Sequence, residues 1–152
     1  MKVLITTLSI LIMFGCYKEL TQEVAIECET NNVSNLKYNN EVFALINNYR
    51  LVQGLKAIEK DSLCAKELAL SHSIYMDSVN KLSHDNYNIR SSELISRGAN
   101  NTAEVGGRGF KLPINLVYAF TQSERHNRVL MGDYTHIGIG KYNEFITILF
   151  YN

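Results

Sequence analysis

An excess of charge of one sign is what this sequence most clearly lacks. Lysine and arginine together number 15, aspartate and glutamate also number 15, and the net charge is zero with neutral histidines. Because nucleic-acid binding depends on clustered positive charge, the absence of a basic stripe argues against nucleic acid as a partner. The sequence also has no internal repeat and no low-complexity segment. Its 152 residues suit one domain with a proper hydrophobic core.

Long apolar runs are also missing, and the longest one lies at the N-terminus. Lys2 precedes an apolar run from Val3 to Phe14, which is too short to span a bilayer and has the shape of a signal peptide. Gly15 and Cys16 follow at once, and a small residue directly before cysteine resembles a bacterial lipobox. We therefore expect residues 1–15 to be a lipoprotein-type signal peptide and Cys16 to be the lipidated N-terminus. Simple secretion with cleavage nearby is the alternative.

Cysteine is scarce, with three residues in the chain. Residues 16–39 are mostly polar and rich in asparagine, which predicts a tether between the lipid and a domain at residues 40–152. If Cys16 carries lipid, Cys28 and Cys64 remain, and an exported chain folds in an oxidising compartment. A Cys28–Cys64 disulfide is therefore expected. The alternative is two free thiols, with Cys64 buried as a small apolar residue.

Apolar residues at helical spacing, together with start and stop signals, predict five helices. The first carries Val42, Phe43, Ile46, Tyr49 and Leu51 and ends at Gly54. The others are Ser62–Val79 capped by Asp61, Ser91–Arg97 stopped by Gly98, Pro113–Gln122, and a short helix capped by Ser123 that runs through Met131.

The period of the pattern changes to two after Tyr134, which predicts strands at Thr135–Tyr142 and Phe145–Tyr151 joined by a tight turn. In the first strand, Ile137 and Ile139 share one face, and His136, Gly138 and Gly140 share the other. Glycines on that face would let a helix or cavity wall approach closely.

Four separate motifs occur in order along the chain. In the first motif, Asn47 and Arg50 precede Gly54-Leu55. In the second, Ala69, His72 and Met76 share a helix, and His84 of Ser83-His84 lies eight residues after Met76. The third is Thr102-Ala103-Glu104-Val105-Gly106-Gly107, and the fourth is Phe120 followed by Ser123-Glu124-Arg125-His126, Val129-Leu130 and Ile137-Gly138-Ile139-Gly140. This set resembles the CAP superfamily of cysteine-rich secretory, antigen 5 and pathogenesis-related 1 proteins, and specifically its bacterial members. The resemblance covers residues 40–152. It implies an α+β fold, a three-layer α-β-α sandwich with a small antiparallel sheet between helices.

The same resemblance implies that His84, Glu104 and His126 converge in one open cleft. Two imidazoles and a carboxylate are a competent ligand set for a divalent metal such as zinc. A Glu104–histidine ion pair without metal is the alternative. Ser123 and Glu124 are further cleft candidates, although Ser123 also suits a helix cap and Glu124 the helix N-terminus. His72 is expected to pack in the core.

Two functions follow from this cleft. The first is a non-catalytic extracellular module that binds a small molecule, lipid, glycan or protein. The second is a metal-assisted, peptidase-like hydrolase with Glu104 as the base. No HExxH motif is present, and the spacing of Ser123 and His126 suits a cap better than a nucleophile pair. We expect a binding module that is exported to the cell envelope or beyond and held to the membrane by the lipid on Cys16.

Overall fold

The computed structural model describes the backbone of residues 13–152 and the side chains of residues 33–152. Residues 1–12 of the predicted signal peptide therefore lie outside the described part of the chain, as do the side chains of Cys16 and Cys28. Lipidation of Cys16 and the Cys28–Cys64 disulfide stay predictions. Within residues 13–152, no helix is both long and apolar enough to cross a membrane.

The first helix, α1, spans Met13–Val52. Contacts divide the chain after Ser34, and Asn35–Asn152 form one compact unit. This unit begins before residue 40 because Tyr38 is already buried in the core and its hydroxyl donates to the carbonyl of Phe110 at 2.8 Å. The division of the chain into signal peptide, tether and domain stays a prediction.

Four helices and four strands follow α1 in the described part of the chain. The elements after α1 are β1 Glu59–Lys60, α2 Ala65–Ser78, α3 Tyr87–Ser96, β2 Thr102–Arg108, α4 Pro113–Gln122, α5 Glu124–Leu130, β3 His136–Tyr142 and β4 Phe145–Tyr151. The bounds of α4 and β4 agree with the sequence prediction, and Pro113 lies in the first turn of α4 as expected. Helix α2 begins later than predicted, but Asp61 still accepts the amide protons of Leu63 and Lys66 at 3.0 and 2.9 Å.

The four strands form one sheet in the order β1-β3-β4-β2. β4 pairs with both β2 and β3 in antiparallel fashion, and β1 pairs with β3 in parallel. The sheet is therefore antiparallel, as the resemblance implied, apart from the two-residue parallel pairing of β1 with β3. β2 and β1 were not anticipated from the sequence, and β2 is the strand that carries Glu104.

Helices cover both faces of the sheet. On one face, α1, α4 and α5 pack against inward residues of β2, β3 and β4 in the larger core, which includes Val42, Phe120, Leu130, Ile139 and Ile148. On the other face, α2 and α3 pack against Leu149 and Tyr151 in a smaller core. The α+β class with three α-β-α layers is thus confirmed.

The glycines of β3 set the distance between the sheet and α2. A Cβ at Gly138 would overlap the backbone of Ala65, and a Cβ at Gly140 would overlap the backbone of Leu70. The predicted close approach of a helix at these two positions is therefore confirmed. This close contact places α2 directly on β3. His72 lies in α2, and its Nε2 is 4.0 Å from Oε1 of Glu104.

Candidate functional site

Glu104 is the centre of the candidate site, and β2 determines where its side chain points. Val105 lies in the larger core under α1 and α4, so the preceding side chain points to the opposite face, towards α2 and α3. There the Glu104 side chain is only 2 % exposed. A buried carboxylate needs hydrogen-bonding and cationic partners.

Arg90, in helix α3, is the main partner of Glu104. Its Nε donates to Oε2 of Glu104 at 2.7 Å, and its Nη2 donates to Oε1 at 2.9 Å. Its Nη1 donates to the backbone carbonyl of Asp85 at 2.8 Å. Arg90 is itself only 7 % exposed. This two-pronged geometry is the strongest form of an arginine–carboxylate pair.

Sequence reasoning missed Arg90, although a signal was present. The short helix was predicted to start at Ser91, whereas α3 starts at Tyr87 and includes Arg90. With the correct start, Arg90 and Leu94 lie four residues apart on the buried stripe of α3. An arginine on a buried helical stripe calls for a buried anion, and that requirement points to Glu104.

His84 completes the contacts of the Glu104 carboxylate. Its Nδ1 lies 2.8 Å from Oε1 of Glu104, so Nδ1 carries the proton and donates it to the carboxylate. The His84 side chain is 52 % exposed. Its other ring nitrogen, Nε2, is therefore the atom free to meet a ligand. The predicted convergence of His84 and Glu104 holds in the structure.

Two effects act on the pKa of Glu104 in opposite directions. Burial raises it, and the hydrogen bonds from His84 and Arg90, together with the positive charge of Arg90, lower it by more. The net result is a pKa below the usual range of glutamate. Glu104 is thus held as an ionised carboxylate whose two oxygens are already engaged.

His72 supports the site from α2 without reaching its surface. It is buried, its Nε2 donates to the carbonyl of Ser83 at 2.9 Å, and the same nitrogen lies 4.0 Å from Oε1 of Glu104. Burial lowers the pKa of His72, an effect partly opposed by the bond to Ser83. The predicted packing role of His72 is confirmed, and this histidine keeps the Ser83–His84 segment in place.

His126 lies in the first turn of α5. Ser123 caps this helix, since its Oγ accepts the amide proton of His126 at 3.5 Å. The half-buried ring of His126 lies against Phe120, with ring centroids 4.8 Å apart. Burial lowers the pKa of His126, and the charges of His84 and Arg125 lower it further. Among residues 33–152, no hydrogen bond or ion pair joins the His126 side chain to His84 or Glu104, so its convergence with them stays a prediction.

Glu124 does not join the cleft. Its side chain is 92 % exposed and accepts from Nη2 of Arg128 at 2.9 Å, one helical turn further on. An acidic residue in the first turn of a helix also stabilises the helix dipole. The structure thus corrects the expectation that Glu124 is a further cleft acid. Ser123 serves as a helix cap, as one of the two sequence interpretations proposed.

The residues present do not fit a three-ligand metal centre. The Glu104 oxygens are bound to Arg90 and His84, and a guanidinium beside a carboxylate competes electrostatically with a metal ion. In the part of the chain from residue 33 onwards, no group of three or more histidine, cysteine or acidic side chains is arranged to hold a metal ion. Glu104 instead orients the His84 ring, much as a carboxylate orients a histidine in other protein sites.

Solved structures with a similar fold are known. An extracellular protein containing an SCP domain from Bacillus anthracis is 22 % identical with a TM-score of 0.69, over 78 % of this chain and 41 % of that one. A cysteine-rich secretory protein from Staphylococcus aureus is 19 % identical with a TM-score of 0.67, over 77 % and 38 %. An outer surface protein from Borrelia burgdorferi is 19 % identical with a TM-score of 0.66, over 76 % and 92 %.

These likenesses establish the SCP, or CAP, fold for this chain. The chain spans less than half the length of the B. anthracis and S. aureus proteins but nearly all of the B. burgdorferi protein. No family model matches the sequence. No curated protein matches it either.

Proposed function

We propose that this chain is an exported binding module of the CAP type, which recognises its ligand in the cleft at His84 and His126 without catalysis. The observation that carries this proposal is the state of Glu104. Its carboxylate is ionised, hydrogen-bonded on both oxygens and only 2 % exposed, so it has little access to a substrate as a base. Its role is to fix the tautomer and orientation of His84, whose Nε2 then faces outward.

The exposed chemistry of the cleft favours recognition by hydrogen bonds. His84 presents one ring nitrogen, and His126 adds a second, half-buried imidazole. Neutral imidazoles accept or donate according to tautomer, and protonated ones attract anions. Small molecules, lipids, glycans and proteins all carry groups that suit such a pair. The proteins of similar fold named above are described as extracellular, secretory or outer-surface, which supports export of this one.

Ligand titrations with single-residue variants would test this proposal. The probes are acetate, N-acetylglucosamine, a short-chain phospholipid and a blocked acidic peptide, each followed by NMR on the mature protein. We expect at least one probe to shift the His84 and His126 ring signals, and to bind about tenfold more weakly to His84→Ala, as for the loss of one charge-assisted hydrogen bond. Arg128→Ala, a change on the exposed face of α5, is the control. Equal binding by all three proteins would contradict a His84 cleft.

The alternative is the metal-assisted hydrolase with Glu104 as base. Calorimetric zinc titration at neutral and mildly acidic pH, repeated on His84→Ala and His126→Ala, separates it from the binding module. We expect no tight zinc binding that needs both histidines, because the third ligand is committed to Arg90. Tight zinc binding that both substitutions abolish, joined to peptide hydrolysis that Glu104→Gln removes in a folded protein, would establish the hydrolase instead.

We further propose that Cys16 carries a lipid that holds the module at a membrane. The supporting observation is the short apolar run that ends in Gly15-Cys16. Replacing Cys16 with serine should move the protein from the detergent phase to the aqueous phase on phase partitioning. If the Cys16→Ser protein partitions like the unmodified one, the anchor is elsewhere or absent.

A further inference from the structure

β2, the strand that carries Glu104, has one open edge. β2 is the last strand of the sheet, and its one strand partner is β4. In an antiparallel pair, alternate residues direct their peptide groups towards the partner strand and away from it. The Asn152 N–H donates to the carbonyl of Asn101, and the Gly109 N–H donates to the carbonyl of Glu144, which fixes the alternation. The peptide groups of Ala103, Val105 and Gly107 face β4, and those of Thr102, Glu104, Gly106 and Arg108 face outward.

Two of the outward residues expose their backbone. Glu104 is half-buried although its side chain is only 2 % exposed, so the exposed area belongs to its peptide groups. Gly106 is half-buried and has no side chain at all. Among residues 33–152, neither backbone makes a hydrogen bond outside the ladder with β4. Each residue therefore presents one donor and one acceptor to the cleft.

We propose that this edge binds an extended peptide, which adds to the sheet as a fifth strand beside His84 and His126. The inference rests on the proposed binding function and names the ligand class of the same cleft. Glu104 and Gly106 lie two residues apart on one strand, which is the repeat at which a neighbouring strand offers its own donors and acceptors. A small molecule or an acyl chain does not match such a row, whereas an added strand does.

The charges around the edge favour an acidic side chain in that peptide. Arg90 neutralises Glu104, Asp85 accepts from Tyr75, and Glu124 is paired with Arg128. The exposed imidazole of His84, whose Nδ1 lies 2.8 Å from Oε1 of Glu104, is left beside the edge without an acidic partner other than Glu104 among the described side chains. A carboxylate opposite Glu104 would thus meet His84 Nε2 rather than an unpaired acid.

The surface beside Gly106, two residues further along β2 from Glu104, is apolar. Gly106 lies on the same face as the Glu104 side chain, and a Cβ built on it would lie 3.3 Å from Cδ1 of Leu82. Leu82 is 45 % exposed. A peptide side chain opposite Gly106 would cover Leu82, so we expect an apolar residue two positions from the acidic one. The preferred ligand is an extended segment with an acid–any–apolar pattern.

The probe that tests this inference is a terminally blocked heptapeptide, Ser-Val-Thr-Glu-Thr-Val-Ser. Its valines flank the central glutamate on both sides, so it satisfies the pattern in either strand direction. Two analogues carry N-methyl groups, one on the glutamate and both valines and the other on both threonines. Strand addition predicts that one analogue loses binding and the other keeps it, because only alternate N–H groups face β2. The readouts are fluorescence anisotropy and slowed amide exchange at Glu104 and Gly106.

Gly106 offers a matched pair of variants on the protein side. Gly106→Pro removes the outward N–H and no ladder bond, a position that edge strands tolerate. Gly106→Ala adds a Cβ but keeps the N–H. Loss of one hydrogen bond predicts about tenfold weaker binding for Gly106→Pro, and Gly106→Ala should bind within about threefold of the unmodified protein. Urea unfolding checks that both variants fold.

Each result has a distinct meaning. Binding that survives Gly106→Pro and is kept by both N-methylated analogues, but is lost in His84→Ala, overturns strand addition and leaves His84 as part of a binding site. Binding lost in Gly106→Pro yet unchanged in His84→Ala and His126→Ala supports strand addition and contradicts the proposed role of the histidines. No binding of the peptide at about 1 mM, a weak affinity of roughly −4 kcal/mol, overturns the inference.

Discussion

Glu104 lies with its side chain beneath the protein surface, and Arg90 supplies the positive charge that allows this burial. Removing one partner of a buried ion pair leaves an uncompensated charge, which costs far more than the pair contributes when intact. Arg90→Leu should therefore lower the free energy of unfolding by about 3–5 kcal/mol, measured by urea denaturation. Arg97→Leu, which breaks the half-exposed pair with Glu93, should cost about 0–1 kcal/mol.

A second substitution separates charge from packing in this prediction. Adding Glu104→Leu to Arg90→Leu removes both charges, and most of the lost stability should return. If the double variant is no more stable than Arg90→Leu alone, the loss came from packing and the buried-charge explanation is wrong.

His72 makes stability depend on pH near neutrality. Its pKa in the folded protein lies below the usual 6.5, chiefly because of burial, so the unfolded chain takes up a proton first as the pH falls. Folding stability should therefore decrease as the pH is lowered through 6.5. His72→Gln keeps a donor for the Ser83 carbonyl and does not titrate. Between pH 7.5 and 5.5 it should lose less stability than the unmodified protein; an identical loss would assign the dependence to His126.

The elements differ in how well sequence reasoning could find them. The bounds of α4 and β4 follow from local signals, a proline in the first turn and a continuous β-branched and aromatic run. β2 contains Gly106-Gly107 and lacks clear alternation, and it is a strand because β4 pairs with it. β1 has two residues and exists only through its parallel pairing with β3. Strands that depend on long-range pairing carry no distinctive pattern in their own local sequence.

The contact between α2 and β3 requires glycine, and this gives a prediction at the scale of elements. Gly138→Ala places a methyl group against the backbone of Ala65, which cannot move without moving α2. Overpacking of this kind typically costs about 1–3 kcal/mol, which should appear as a lower midpoint of thermal unfolding. Gly106→Ala is the control, because its methyl meets only the flexible end of Leu82. Similar midpoints for the two variants would mean that α2 shifts readily.

At the scale of the whole molecule, motif order predicted the fold class and the meeting of His84 with Glu104. Motif order did not predict that Arg90 would form an ion pair with the Glu104 carboxylate. The types of candidate metal ligand carry no information about a cation on a neighbouring helix. The Arg90–Glu104 ion pair argues against Glu104 as a metal ligand and supports the proposed recognition site. The charge balance of the cleft is thus a property of three elements together, α3, β2 and α5.

The disulfide prediction also concerns the molecule as a whole. Cys64 is half-buried next to the start of α2, and burial raises the pKa of its thiol. A Cys28–Cys64 bridge would stabilise the protein by about 4 kcal/mol on chain-entropy arguments. Intact-mass measurement after alkylation, with and without prior reduction, should show thiols only in the reduced sample. Two alkylated cysteines without reduction would rule out the bridge.

β4 lies between β2 and β3, yet it follows both of them in the chain. β2 and β3 do not pair with each other. β3 can pair earlier with the two residues of β1, but β2 joins the sheet through β4 and therefore waits for residues 145–151. In a chain that passes N-terminus first through a narrow translocation channel, β2 would stay unpaired until β4 emerged. Non-local pairing of this kind is slow to form. The order of the strands would thus leave the sheet incomplete while the chain passes through the channel. The sheet would be completed late, on the far side of the membrane.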